Sequence, residues 1–159
     1  MRRLIASTIA LAIALAGCAT GPRIDSVDRL ALLRAHAGEP VNSILHPGRF
    51  SGWSPVGTEA LVLHTHANRA YLLELTGPCT DLPHAHAIGV TSRGGTIASR
   101  FDSVTPAGPG LSPIQIRCHI KTIRPLDVAA VRKAEREALD ALREAAPVER
   151  EDDAQTPAQ

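Results

Sequence analysis

The sequence predicts an α+β domain: a small antiparallel sheet of five or six strands, curled as a barrel or sandwich, flanked by an N-terminal and a C-terminal helix. Three observations predict it. Residues 26–37 and 128–146 carry apolar residues at helical spacing, one segment before and one after the middle of the chain. Between them lie short apolar runs separated by turns that contain Gly, Pro and Asn. Within that middle part, residues 114–122 alternate. Ile114, Ile116, Cys118 and Ile120 point one way, and Gln115, Arg117, His119 and Lys121 point the other. Cys118 therefore faces the core.

The elements follow in order. Ser26 is the expected cap of the first helix, Leu30, Ala31, Leu32 and Leu33 supply its apolar face, and Gly38 stops it. Residues 41–46 form a weak strand. Pro47-Gly48 and Ser54-Pro55-Val56-Gly57 read as turns around Trp53. Residues 59–66 and 70–75 form a hairpin across Ala67-Asn68-Arg69, and Thr76-Gly77-Pro78 breaks its second strand before Cys79. A strand over 85–91 leads to a turn at Ser92-Arg93-Gly94-Gly95, and a further strand spans 96–104. A Pro- and Gly-rich loop occupies 105–113. Ile123 is out of phase with the 114–122 alternation, which predicts a bulge or a strand end there. Asp127 is placed to cap the last helix, whose stripe is Val128, Val131, Ala134, Ala138 and Leu142, with Lys133 and Glu137 one turn apart.

The two ends of the chain carry other signals. Arg2 and Arg3 precede residues 4–16, which are Leu, Ile and Ala apart from Ser7 and Thr8. That is the length of a signal-peptide core and too short for a comfortable membrane span. It ends in Leu15-Ala16-Gly17-Cys18, which resembles the lipobox of bacterial lipoproteins. Two small residues suit a peptidase groove, and the Cys18 thiol can take a diacylglycerol. The expected organisation is therefore a signal peptide over 1–17, a lipidated cysteine with a tether over 18–25, one globular domain over 26–146, and a disordered acidic tail over 147–159. One acyl chain anchors only marginally. Lipoproteins of this kind carry three, palmitate among them, so the resemblance implies durable attachment facing the periplasm. Residue 19 is Ala, not the Asp that tends to retain lipoproteins of enteric-type bacteria at the inner membrane, which implies the outer membrane.

Processing would leave 142 of 159 residues, enough for one domain with a sizeable core. Loss of Arg2 and Arg3 takes 17 basic residues to 15, against 16 acidic ones, and no basic stripe stands out. A nucleic-acid partner is not indicated; the membrane, through the lipid, is the expected partner, and any protein or small-molecule partner is open. With Cys18 committed to lipid, Cys79 and Cys118 remain as a pair. They suit a disulfide in an oxidising compartment, and the competing reading is two free thiols or metal ligands.

Several stretches together resemble a family of small uncharacterised proteobacterial lipoproteins that share a domain of unknown function. They are RAHAG at 34–38, GW at 52–53, VGTEALVLHT at 56–65, AYLLELTGPC at 70–79, SRGGTI at 92–97, RFD at 100–102, and CHIKTIRPLD at 118–127. The resemblance covers roughly residues 30–127. It implies secretion and pairing of Cys79 with Cys118, and it carries no activity.

The residues with the most chemistry are His64-Thr65-His66 and His84-Ala85-His86. Residues two apart on a strand share a face, so each pair could present two imidazoles, and four could hold Zn²⁺ or Cu²⁺. His119, outward on its own strand, could join them. The plainer reading places His64 and His66 on the solvated face opposite Leu61 and Leu63, and His84 in a loop. Catalytic signals are weak: Gly52-Trp53-Ser54-Pro55-Val56 lacks the closing glycine of a nucleophile elbow, the acidic residues scatter singly, and Gly94-Gly95 precedes a strand where a phosphate loop precedes a helix. Phe50, Trp53, Tyr71 and Phe101 are read as core residues. The leading expectation is a non-enzymatic envelope lipoprotein that binds a partner or ligand, with no catalytic residue and no cofactor beyond the lipid. The alternatives are a periplasmic metal-binding protein using the histidine pairs, and an enzyme of unknown class.

Overall fold

The computed structural model describes residues 22–46, 48–111 and 116–145. The expected signal peptide, Cys18, the first residues of the tether (19–21) and the acidic tail lie outside these residues, as do Ile114 and Gln115.

Two helices flank a curled antiparallel sheet. In chain order the elements are α1 (Ser26–Ala35), β1 (Ser43–Leu45), β2 (Gly52–Val56), β3 (Ala60–His66), β4 (Arg69–Leu75), a 3-10 turn (Leu82–His84), β5 (Ala87–Val90), β6 (Thr96–Ala98), β7 (Ser103–Ala107), β8 (Cys118–Leu126) and α2 (Val128–Ala145). Six strands form a half-barrel in the order β2-β3-β4-β8-β7-β5, and β1 pairs with β6 in a small separate sheet. The α+β class and the six strands of the main sheet agree with the expectation, and the separate β1–β6 pair adds to it.

Both helices are capped by aspartate. The Asp25 carboxylate accepts from the Val27 N–H at 3.2 Å, so the cap is Asp25, and Ser26 is the first helical residue. Asp127 accepts from the N–H groups of Ala129 and Ala130, both at 3.0 Å, as its position before α2 predicts. Gly38 does not stop α1. The helix ends at Ala35 because the chain beyond it is drawn into the sheet: Gly38 N–H donates to Pro125 O and Val41 N–H to Ile123 O, both at 2.8 Å.

Three other boundaries differ from expectation. Residues 54–56 belong to β2, where Trp53 pairs with Leu63 and Pro55 with Leu61. β2 is an edge strand, which tolerates a residue with no N–H. The turn comes at Gly57, whose φ of +61° suits glycine. The run 96–104 is two strands in different sheets. Its break is at Arg100, where φ is +68°, and the Asp102 carboxyl holds it by accepting from Ala98 N–H and from the Thr91 hydroxyl, each at 2.8 Å. Strand β7 in turn takes in Pro106 and the start of the expected loop. At Ile123 the strand does not end. Glu74 pairs with Thr122 and Leu75 with Ile120, so the ladder skips Lys121. That bulge puts both Ile120 and Ile123 into the core.

Strands β3 and β4 are buried on both faces. Leu61, Leu63, Leu73, Ile97, Val104, Ile120 and Ile123 fill the concave side. Leu30, Leu33 and Val131 from the helices pack on the opposite side against Val56, Ala60, Val62, Ala70 and Leu72. Residues 60–63 therefore read as an unbroken apolar run, the pattern of a strand covered on both faces. Cys79 and Cys118 are joined by a disulfide, with Cα atoms 5.8 Å apart, at the edge of the concave core. Of the aromatics, Phe50, Trp53 and Tyr71 pack against that core, whereas Phe101, read as a core residue, is 68% exposed beside the Arg100 turn.

Candidate functional site

The histidine pairs do not converge. His64 pairs with Ala70 and His66 with Arg69, so Thr65 is bulged out of the ladder. The bulge breaks the two-residue alternation, and the two imidazoles line different cavities. His84 ends the 3-10 turn and is exposed; β5 starts only at Ala87, so His84 and His86 do not share a strand. His86 lies against Gly108, where a Cβ would come within 2.8 Å of its Nδ1. His119 is exposed on β8. Among the described residues no three His, Cys, Asp or Glu side chains are grouped as a metal would require.

The plainer sequence reading, which put His64 on a solvated face, does not hold, because the helices cover that face. His64 continues the row of Ala60 and Val62 and is half-buried. It lines a cavity of about 260 Å³ between the sheet and both helices. The apolar wall comes from Leu33, Val62, Ala70, Leu126, Val128 and Val131, and the polar groups are Arg29 from α1 and Arg132 and Glu135 from α2. Arg29 is fixed on three sides. Its Nε meets Glu135 Oε1 at 3.0 Å, Nη1 donates to Pro55 O at 3.1 Å, and Nη2 reaches Ser54 Oγ at 3.5 Å. Burial lowers the His64 pKa, and the positive charges of Arg132 and Arg29 lower it further. The site thus offers a neutral imidazole and guanidinium donors at the mouth of an apolar space.

A second cavity, of about 560 Å³, opens between β1 and the β3–β4 hairpin and is lined by His46, His66, Arg69 and Tyr71. His46 stacks edge-on against Phe50, with ring centres 4.8 Å apart, and its Nδ1 accepts from Gly48 N–H at 3.0 Å.

Two acidic residues not singled out in the sequence organise the framework. Asp102 is the buried clamp already described. Glu74 gathers Arg34 and the Thr122 hydroxyl, each at 2.6 Å, with Arg124 at 4.0 Å. Its one sequence signal is a charge in phase with Ala70 and Leu72, on a face that proved to be covered. Arg29 and Glu135, 106 residues apart, carry no joint signal in the chain.

No curated protein and no solved structure matches the sequence. One protein family does, over residues 1–141. On that match the chain belongs to a family of unknown function, DUF6491.

Proposed function

We propose that this protein is a lipid-anchored bacterial envelope lipoprotein whose folded domain is a non-enzymatic binding module. The observation that carries the anchor is the register of Arg2-Arg3, the apolar run 4–16 and Leu15-Ala16-Gly17-Cys18. The family match takes in this leader together with the folded domain. The Cys79–Cys118 disulfide suits an oxidising compartment. No helix among the described residues is long and apolar enough to cross a membrane. Helix α1 begins at Ser26, eight residues beyond Cys18, which holds the domain within roughly 28 Å of the anchor. Ala19 in place of Asp favours the outer membrane.

Mass spectrometry of the mature N-terminus tests the anchor. The expected species begins at Cys18 and carries three acyl chains, and Cys18→Ser accumulates an uncleaved precursor. An unmodified N-terminus downstream of residue 18 overturns the reading. Fractionation of the envelope then reads which membrane holds the protein.

A further inference from the structure

We propose that the cavity between the helices and β3 binds a small monocarboxylate with a short apolar tail, its carboxylate held by Arg132 and His64. This inference rests on the reading of the folded domain as a binding module. The charges facing His64 are Arg29 on α1 and Arg132 and Glu135 on α2. With the imidazole neutral, two guanidinium groups and one carboxylate leave the site one positive charge in excess. Arg29 is ion-paired with Glu135 and also donates to Pro55 O and Ser54 Oγ. Arg132 makes no ion pair with any carboxylate among the described residues. The unmatched charge is therefore that of Arg132, at the rim, and one singly charged anion balances it. A dianion such as phosphate would leave a negative charge over.

The walls decide the rest of the ligand. Val62, Leu126, Val128 and Val131 offer no hydrogen bonds and favour an alkyl chain. At about 260 Å³ the space lies just below the usual range for small-molecule pockets, about 300–1,000 Å³, so the chain must be short. A guanidinium and an imidazole N–H can together satisfy both carboxylate oxygens with charge-assisted hydrogen bonds.

The test uses the full-length protein in detergent, with hexanoate as the probe and hexanol and hexylammonium as controls. Imidazole resonances of His64 follow binding by NMR. Hexanoate is expected to shift them saturably and to raise the His64 pKa, because a bound anion favours the imidazolium form. Hexylammonium should not. Arg132→Gln, on an exposed position of α2, should leave the fold intact and weaken hexanoate about tenfold or more, the scale of a lost charge-assisted bond. An absent or non-saturating response to hexanoate overturns the proposal, as does equal binding of hexanoate by Arg132→Gln. A saturable response to hexanol or hexylammonium and not to hexanoate also overturns it, while leaving a binding module in place. Acylation at Cys18 is read independently by mass, so failure here and failure of the anchor are told apart.

Discussion

At the scale of single residues, the groups that matter are charges partly withdrawn from water by neighbours distant in sequence. For Glu74, burial pushes the carboxyl upward, but the hydrogen bonds from Thr122 and Arg34 and the charges of Arg34 and Arg124 outweigh it, and the net pKa is lowered. Its contribution to stability is present above its ordinary value and lost as pH falls through the folded one. For His64 the pKa is also lowered, so the unfolded chain binds the proton more readily. Stability is complete above the ordinary imidazole value, about 6.5, and drains away as pH falls from there to the folded value. Urea unfolding across pH should therefore show a loss beginning just below about 6.5 that His64→Ala reduces, and a second loss in the carboxylate range that Glu74→Gln reduces. Asp102 tests burial more sharply. It is 1% exposed and accepts from Thr91 and Ala98. Asp102→Asn keeps the shape but turns an amide toward one of those donors, and unfolding free energy should drop by roughly 1–3 kcal/mol.

At the scale of elements, the helices and the β3–β4 hairpin were legible because their signals are local: a 3.6-residue apolar period, a capping aspartate, an Asn-containing turn. Asp127→Ala should remove two hydrogen bonds from the first turn of α2 and lower stability by about 1 kcal/mol, seen as earlier amide exchange in that turn. Boundaries set by partners were not legible. Pro55 suggests a turn until β2 is known to be an edge strand. Residues 96–104 look continuous, because the break at Arg100 depends on a carboxyl that reaches back to Ala98 and across to Thr91. The bulge at Thr65 is of the same kind. It depends on how β3 meets β4, and it separates His64 from His66.

At the scale of the whole molecule, the disulfide joins cysteines 39 residues apart and links the segment between β4 and the 3-10 turn to the start of β8. Chain-entropy reasoning puts its contribution at about 4 kcal/mol. Unfolding of the Cys79→Ser, Cys118→Ser double variant should show a midpoint lowered accordingly. Reductant should shift the wild type in the same direction and leave the variant unmoved. The helices act at this scale too. Val131 is buried, whereas Leu142 in the same stripe is 40% exposed, so α2 docks mainly through its first half. The Arg29–Glu135 pair joins the two helices there, and their meeting over β3 creates the cavity.

Local patterns in the chain were enough to read the fold class, both helices, most of the strands and the inward phase of Cys118, and the proposed envelope anchoring rests on a pattern of the same kind in residues 2–18. All of these are written in spacing within a few residues or in the chemistry of a single position. The tertiary structure decided which face of β3 is covered, where bulges shift the pairing, and which charged groups meet. Each of those depends on pairing or packing between segments tens of residues apart, and side-chain alternation along one strand does not say what lies above it. That is why the histidine pairs stood out in the chain and came apart in the fold. His64 instead shares a cavity with Arg29, Arg132 and Glu135, none of which is its neighbour in sequence.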